Sequence, residues 1–514
     1  METVHGKYEQ KSLVTVANTQ TRVPVKMELA NPAKKILTTT AKCFVTGVER
    51  KDADIRVNGK TVTQVIFIDE FGAYNSEERA DEFSERFTPK NAETIQIVSP
   101  MAVIIQTVAP KLQKGETDLI AGLSTEHVIN IALTGLKGNE ISYVRELSGD
   151  VESVGTQTSV ASWGATFFEK FDIGETLTLD SNVEGILCTD LSVHIRDINV
   201  ANERFTIKGV ASVNASVVRN VEGAQSVATA QYDFDFAKSF NKKDVTDRDI
   251  ICGNVLVSNV GIKVESLAHP SLTVEAELIF TGHSIVRHEI NMIKDAFSCD
   301  NNLDFTHTTV NDVAITGSQQ NIVADVEGNV SMPEGSPFIG KVLLASMPII
   351  GSINVKPTDD KTIVEGVLTT NIIYECEEHH VYSHVAEVPF AVTCKIDNCT
   401  AKHNINVALT PLSCNVKARR GKELLVDARL GANVVASSNN SVKVASNVQI
   451  GKARPAEDHA ITIHIADAKE TLWDIAKRAS IPTAEVIRQN PSVANGINEG
   501  DRIVMYRRAR AISQ

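Results

Sequence analysis

Residues 352–375 read SINVKPTDDKTIVEGVLTTNIIYE, followed by a polar CEEHH tip at 376–380 and by VYSHVAEVPFAV at 381–392. INVALTPLSCNVKA at 405–418 and ELLVDARLGANVV at 423–435 complete the stretch. In the last run Leu424, Val426, Ala428, Leu430, Ala432 and Val434 fall on every second position, the period of a strand with one buried face. The run at 381–392 is less cleanly two-faced, because Val381 and Val385 lie on the other parity from Tyr382, Ala386, Val388 and Phe390. Turn residues bound the runs: Pro357 with Asp359 and Asp360, Glu377 to His380, and Arg419 to Lys422 around Gly421. The reading is an all-β module of about five or six strands between Lys341 and Val435.

The same plan recurs upstream. FTIKGVASVNASVV (205–218), YDFDFA (232–237) and LTVEA (272–276) answer TIVEGVLTTNIIYE, EVPFAV and LLVDA. The spacing between the matched pairs Gly209/Gly366, Phe236/Phe390 and Leu272/Leu424 drifts by only a few residues, as small loop deletions within one plan would produce. A weaker copy spans about 33–112. There GKTVTQVIFIDEF (59–71) aligns with DKTIVEGVLTTNI, which puts Val65 in the place of Gly366 and Phe83 in the place of Phe390. NSEERADEFSERF (75–87) reads two ways: the repeat argues for a strand, while charge density and the Phe83/Phe87 spacing argue for a helix. Segment 1–32, with Val23, Val25, Met27 and Leu29 alternating, is a lone strand that must join a sheet elsewhere. The chain thus divides into 1–32, a first repeat with its connector (33–150), a second repeat (151–292), and a connector with the third repeat (293–450). GKARPAEDH (451–459) is a linker to a last domain at 460–508. The expected fold is mainly β, with three modules in a row and a small final domain.

Composition sets outer bounds. The 514 residues suffice for several cores, and the 5% aromatic content suits short strands better than helical bundles. A formal charge of −13 disfavours general nucleic-acid binding, and the basic YRRAR at 506–510 reads as a solvated terminus. The start, METVHGKYEQKS, lacks a secretory pattern, and the uncharged run Thr94–Pro110 is too polar for a membrane span. A cytoplasmic location is expected. The eight cysteines include no C-x-x-C pair, so free thiols are expected.

The final domain is locally explicit. Ile461, Ile463 and Ile465 form a one-faced strand, and Thr471 with Asp474 forms a capping box before Leu472, Ile475, Ala476 and Ala479 at helical spacing. Pro482 opens a second helix that Pro491 ends, and Gly500 turns the chain into the strand RIVMY. The order is β-α-α-β. Trp473, at helical spacing, reads as core rather than as a ring for stacking on sugar.

No catalytic constellation emerges. GSPFIGK (335–341) mimics a phosphate-binding loop but continues with Val342 instead of Ser or Thr, holds Pro337, and leads into a strand-like run. Cys376, His379 and His380 sit at a hairpin tip and read as chance neighbours rather than metal ligands. No cofactor is expected.

Two resemblances add to this reading. The repeats, the third most clearly, resemble the SPOCS-domain family of sporulating Firmicutes. TLWDIAKR, VIRQNP and INEGDRI make 461–507 look like a LysM domain. The LysM resemblance implies a shallow groove for N-acetylglucosamine-containing glycans, or for a protein segment in their place, at Lys469, Glu470, Thr471 and Leu472, and at Asn490, Pro491, Ser492, Asn495 and Ile497. This chain departs from that family where Lys469-Glu470 replaces Gly-Asp and His464 replaces an aromatic. A glycine there would let the backbone approach a sugar closely. The combined resemblance implies a non-catalytic scaffold of the spore coat in the mother-cell cytoplasm, with the basement-layer ATPase of the coat as partner. A peptidoglycan-binding cell-wall or cortex protein is the alternative; a wall hydrolase would need a catalytic half that the motifs do not supply.

Overall fold

Alternation of apolar and polar residues is realised as strands, many of them far longer than the usual five or six residues. The computed structural model describes the whole chain except residues 91–93, 116–117, 180–182, 222–223, 266–269, 316–318, 455–460 and 507–514. Most of the expected linker (455–459) and of the basic tail (507–510) therefore lies outside the described residues.

The first set of strands is β1 (Glu2–Lys51), β2 (Asp54–Asp69), β3 (Tyr74–Phe87), β4 (Ile95–Thr107), β5 (Lys111–Lys114) and β6 (Ile120–Ser148). The second is β7 (Glu152–Thr178), β8 (Gly185–Ala201), β9 (Arg204–Val221), β10 (Ala224–Asn241), β11 (Ile250–Val264) and β12 (Ser271–Phe297). The third opens with β13 (Asn301–Ile315), β14 (Gln320–Ser331) and the short β15 (Ile339–Ala345), β16 (Ile349–Ile350) and β17 (Asn354–Thr358). It continues with β18 (Lys361–Cys376), β19 (Val381–Lys395), β20 (Asn404–Ala418) and β21 (Glu423–Ala453). β22 (Ile461–Ile465), α1 (Leu472–Ala479), α2 (Thr483–Gln489) and β23 (Arg502–Tyr506) follow.

Each set pairs in two antiparallel layers. In one layer β2, β9 and β18 are central, flanked by late β1 and β3, by β8 and β10, and by β15–β17 and β19. In the other the long β6, β12 and β21 are central, flanked by early β1 and β4, by β7 and β11, and by β13, β14 and β20. Apolar side chains between layers form separate cores, such as the Phe167, Phe205, Phe240 and Phe280 cluster of the second set.

The central hairpins share one detail that corrects the alignment of the first copy. Gly209 lies opposite Phe236 and Gly366 opposite Phe390, and the counterpart in the first set is Gly59 opposite Phe83, not Val65. In all three the phenylalanine ring covers the glycine so closely that a Cβ would not fit. The hairpin tips agree, because Asp52, Glu203 and Asp360 each adopt a left-handed φ, of 55°, 59° and 58°. The similarity of GKT to DKT matches Gly59 to the tip residue Asp360 and so shifts the copy out of register.

The 75–87 ambiguity resolves as strand: β3 pairs with β2 from Tyr74 to Phe87 and turns most of its charges outward along the sheet edge. The long-range ladder outweighs local helix propensity. Sheet pairing also crosses three expected boundaries. β1 runs unbroken through residue 32, using its first part against β6 and its second against β2, and β12 continues to Phe297. Residues 451–453, expected in the linker, still belong to β21.

The three sets do not stand in a row; the first and third also touch. One cluster joins Leu37 and Ile66 with Leu187 and Val218 and with Leu343 and Ile373. A second joins Ile141, Ile290 and Val444, from the far halves of β6, β12 and β21. Polar ties link all three pairs of sets: Lys42 to Asp190 at 2.7 Å, the Asn433 amide donating to the Ile195 carbonyl at 3.2 Å, and the Lys35 ammonium donating to the Val381 carbonyl at 2.7 Å. Among the described residues no helix is long and apolar enough to cross a membrane.

Candidate functional site

The C-terminal β-α-α-β unit is built by short-range signals. Thr471 caps α1: its hydroxyl accepts from the Asp474 N–H while the Asp474 carboxylate accepts from the Thr471 N–H, a reciprocal capping box. Ile475, Ala476, Val486, Ile503 and Met505 form the core, against which both Leu472 and Ile497 pack. The two loops expected to make a groove are thus anchored on one apolar cluster.

Within those loops the side chains divide by role. Lys469, Pro491, Ser492 and Asn495 are exposed. Asn490 is buried, donating to the Val486 and Val504 carbonyls and accepting from the Val504 N–H, so its amide holds α2 against β23. Lys469 takes a left-handed φ of 67°, a conformation that suits glycine better than a branched Cα. Glu470 turns inward, its side chain only 6% exposed, with His464 Nε2 and Arg478 each 2.7 Å away and the Asp467 N–H donating to it. The hydrogen bond from His464 leads in holding the Glu470 carboxyl below its ordinary value; burial opposes it.

The opposite face carries a feature that parity alone could not orient. Thr462 and His464 share a face with Met505 and Ile503, on the side of the helices. Ile461, Ile463 and Ile465 therefore point away, 55%, 51% and 64% exposed, with Tyr506 beside them at 54%. The sequence showed a one-faced strand but not which face the helices cover.

Trp473 packs at a seam with the β body. Its ring meets Phe297 edge-on at 5.0 Å between centroids, and its Nε1 donates to Asp295 Oδ2 at 2.9 Å. The Lys477 ammonium reaches both Asp295 oxygens, at 2.6 and 2.7 Å. Burial acts to raise the Asp295 pKa, but these hydrogen bonds and the lysine charge outweigh it and hold the carboxyl below its ordinary value. A register shift between Ile293 and Asp295 marks a bulge of the kind that re-aims a side chain. Arg454 adds a backbone bond to the Asp300 carbonyl at 2.9 Å and a guanidinium contact to the Ser480 hydroxyl. In the sequence Asp295 and Phe297 fall in a connector, and no periodic signal singles out a seam residue so far away.

The other candidates sit as follows. Ile339 begins β15 directly after the GSPF turn, and Lys341 donates to the Ser226 hydroxyl at 3.2 Å. Cys376 is buried while His379 pairs with Glu375 at the exposed tip. Among the described residues no group of three or more His, Cys, Asp or Glu side chains is placed to hold a metal.

Residues 339–419, which run from β15 through the first residue after β20, match the family described as SipL, SPOCS domain. That match supports the SPOCS family for this stretch and, with it, a sporulation-related protein. A search of curated proteins gives no match.

Proposed function

We propose that the chain is a non-catalytic scaffold of spore-coat assembly, made of three SPOCS-like modules and a LysM-like unit that docks a protein partner. The observation that carries this reading is the outward face of Ile461, Ile463, Ile465 and Tyr506, an apolar stripe of the kind that marks interaction sites. The expected glycan groove supports it from the other side: Lys469 stands where close backbone approach to a sugar would need glycine, and Glu470 is engaged with His464 and Arg478. By family resemblance the partner is the ATPase of the coat basement layer on the mother-cell side of the forespore. Joining the modules in one chain raises their effective concentration at that surface.

The test is Ile461→Lys with Ile465→Lys in the full chain. Recruitment to the forespore should be lost while the melting temperature stays unchanged, because both side chains are already in water. Unaltered recruitment rejects the stripe as the docking face. Saturable binding of the unaltered protein to chitin oligomers, abolished by Lys469→Glu with Asn495→Arg, would establish the peptidoglycan-binding alternative instead.

A further inference from the structure

The far ends of the three long central strands β6, β12 and β21 share one irregularity. Each ladder skips a single residue there: Arg145 in β6, Lys294 in β12 and Ser446 in β21. In an unbroken strand Ile293, Asp295 and Phe297 would share a face. The bulge breaks that parity. Ile293 and Ala296 both enter the apolar cluster where the three ends meet, as do Val144 with Leu147 and Ala445 with Val448. The alternate residues turn the other way. In β6 these are Glu146 and Ser148, both exposed; in β21 they are Asn447, half-buried, and Gln449, exposed. In β12 they are Asp295 and Phe297, and Phe297 is 1% exposed.

What covers Phe297 is the C-terminal unit. Its ring belongs to the same cluster as Ala466, Ile475, Val486 and Met505, so β12 supplies a side chain to the core of a unit far later in the chain. Trp473 and Lys477, four residues apart on one face of α1, both donate to the Asp295 carboxylate. The chain enters the unit from β21, yet Asn447 and Gln449 of that strand supply neither a carboxylate nor an aromatic ring. β6 supplies the carboxylate in Glu146 but has Ser148 where β12 has Phe297. Of the three bulged ends, only that of β12 carries both groups.

We propose that Asp295 and Phe297 are positioning residues that select this one of three equivalent strand ends and hold the C-terminal unit there in a single orientation. The stripe of Ile461, Ile463, Ile465 and Tyr506 is then presented from a rigid body instead of from a unit swinging on a tether. The fixing of the unit rests on the seam alone; its effect on recruitment rests on the docking face proposed above.

Trp163→Phe in the full chain leaves Trp473 as the single tryptophan, so its fluorescence reports the seam. In that background Asp295→Lys should raise acrylamide quenching of Trp473 roughly twofold or more, because two cations then meet at a half-buried site. The melting transition of the β body should not move. Asp295→Lys with Lys477→Asp restores opposite charges and should lower the quenching again, which it would not do if the first substitution had simply unfolded the unit. Phe297→Ser, which copies the β6 end, should also raise the quenching. Recruitment to the forespore should fall in both released variants although the stripe is intact. Quenching unchanged by Asp295→Lys and by Phe297→Ser overturns the proposal. Raised quenching with full recruitment overturns the need for a fixed orientation and leaves the docking face standing. Loss of recruitment in Ile461→Lys with Ile465→Lys at unchanged quenching tests the docking face apart from the seam.

Discussion

The β body at 2–453 and the C-terminal unit at 461–506 reach their folds by opposite routes. In the body, β1 takes its partners from β6, over a hundred residues away, and from β2, its neighbour; nothing local in β1 says where one pairing gives way to the other. In the C-terminal unit the cap, the proline stops and the helical spacing all act within a few residues. Register and boundaries in the body therefore depend on distant partners, while the element order of the small unit follows from local signals. The body also shares its cores among three sets of strands, so damage in one set reaches the others.

The largest expected effect separates the two regions. Ile475 is 1% exposed in the small core, and Ile475→Ala should cost about 2–5 kcal/mol there. Differential scanning calorimetry should show the C-terminal transition lost or shifted far down with the body transition unmoved. Joint loss of both would mean that the Asp295 seam makes one cooperative unit of the chain.

The next effect is confined to the body. His194 is buried where the second and third sets meet, its ring against Gly431. Burial first, then the Arg196 charge, pushes its pKa from 6.5 down to about 4, with Asn433 opposing. The unfolded chain then binds the proton more readily than the folded one. This contribution is complete above about pH 6.5 and is lost as pH falls towards 4, roughly 3 kcal/mol in all. Urea midpoints of the body should fall across that window, and His194→Phe should flatten the dependence. The Asp295 seam behaves differently: its depressed carboxyl keeps its contribution until pH falls below the ordinary aspartate range near 4.

The smallest effect tests the pairing in the first hairpin, where Gly59 lies opposite Phe83. At Gly209 an added Cβ would lie 2.5 Å from both the Phe236 ring and the His194 carbonyl oxygen. Gly209→Ala should cost about 1–3 kcal/mol by overpacking. Gly59→Ala and Gly366→Ala should follow the same direction in urea denaturation. A neutral Gly59→Ala beside a costly Gly209→Ala would break the equivalence of the first hairpin with the other two.

Much was legible without coordinates. Alternation at 424–434 marks a strand whose Leu424, Val426, Ala428, Leu430, Ala432 and Val434 are buried, and Thr471 with Asp474 marks the helix start. These signals are carried by the residues themselves, because side-chain period and capping depend on dihedrals a few positions apart. Only the tertiary structure decided that Gly59 rather than Val65 stands opposite Phe83, that 74–87 is an edge strand, and that the three sets close on one another. Only it turned Ile461, Ile463 and Ile465 to water and Trp473 to Asp295. Period tells that a strand has two faces; which face is buried depends on what arrives from elsewhere in the chain, and that energy belongs to pairs distant in sequence.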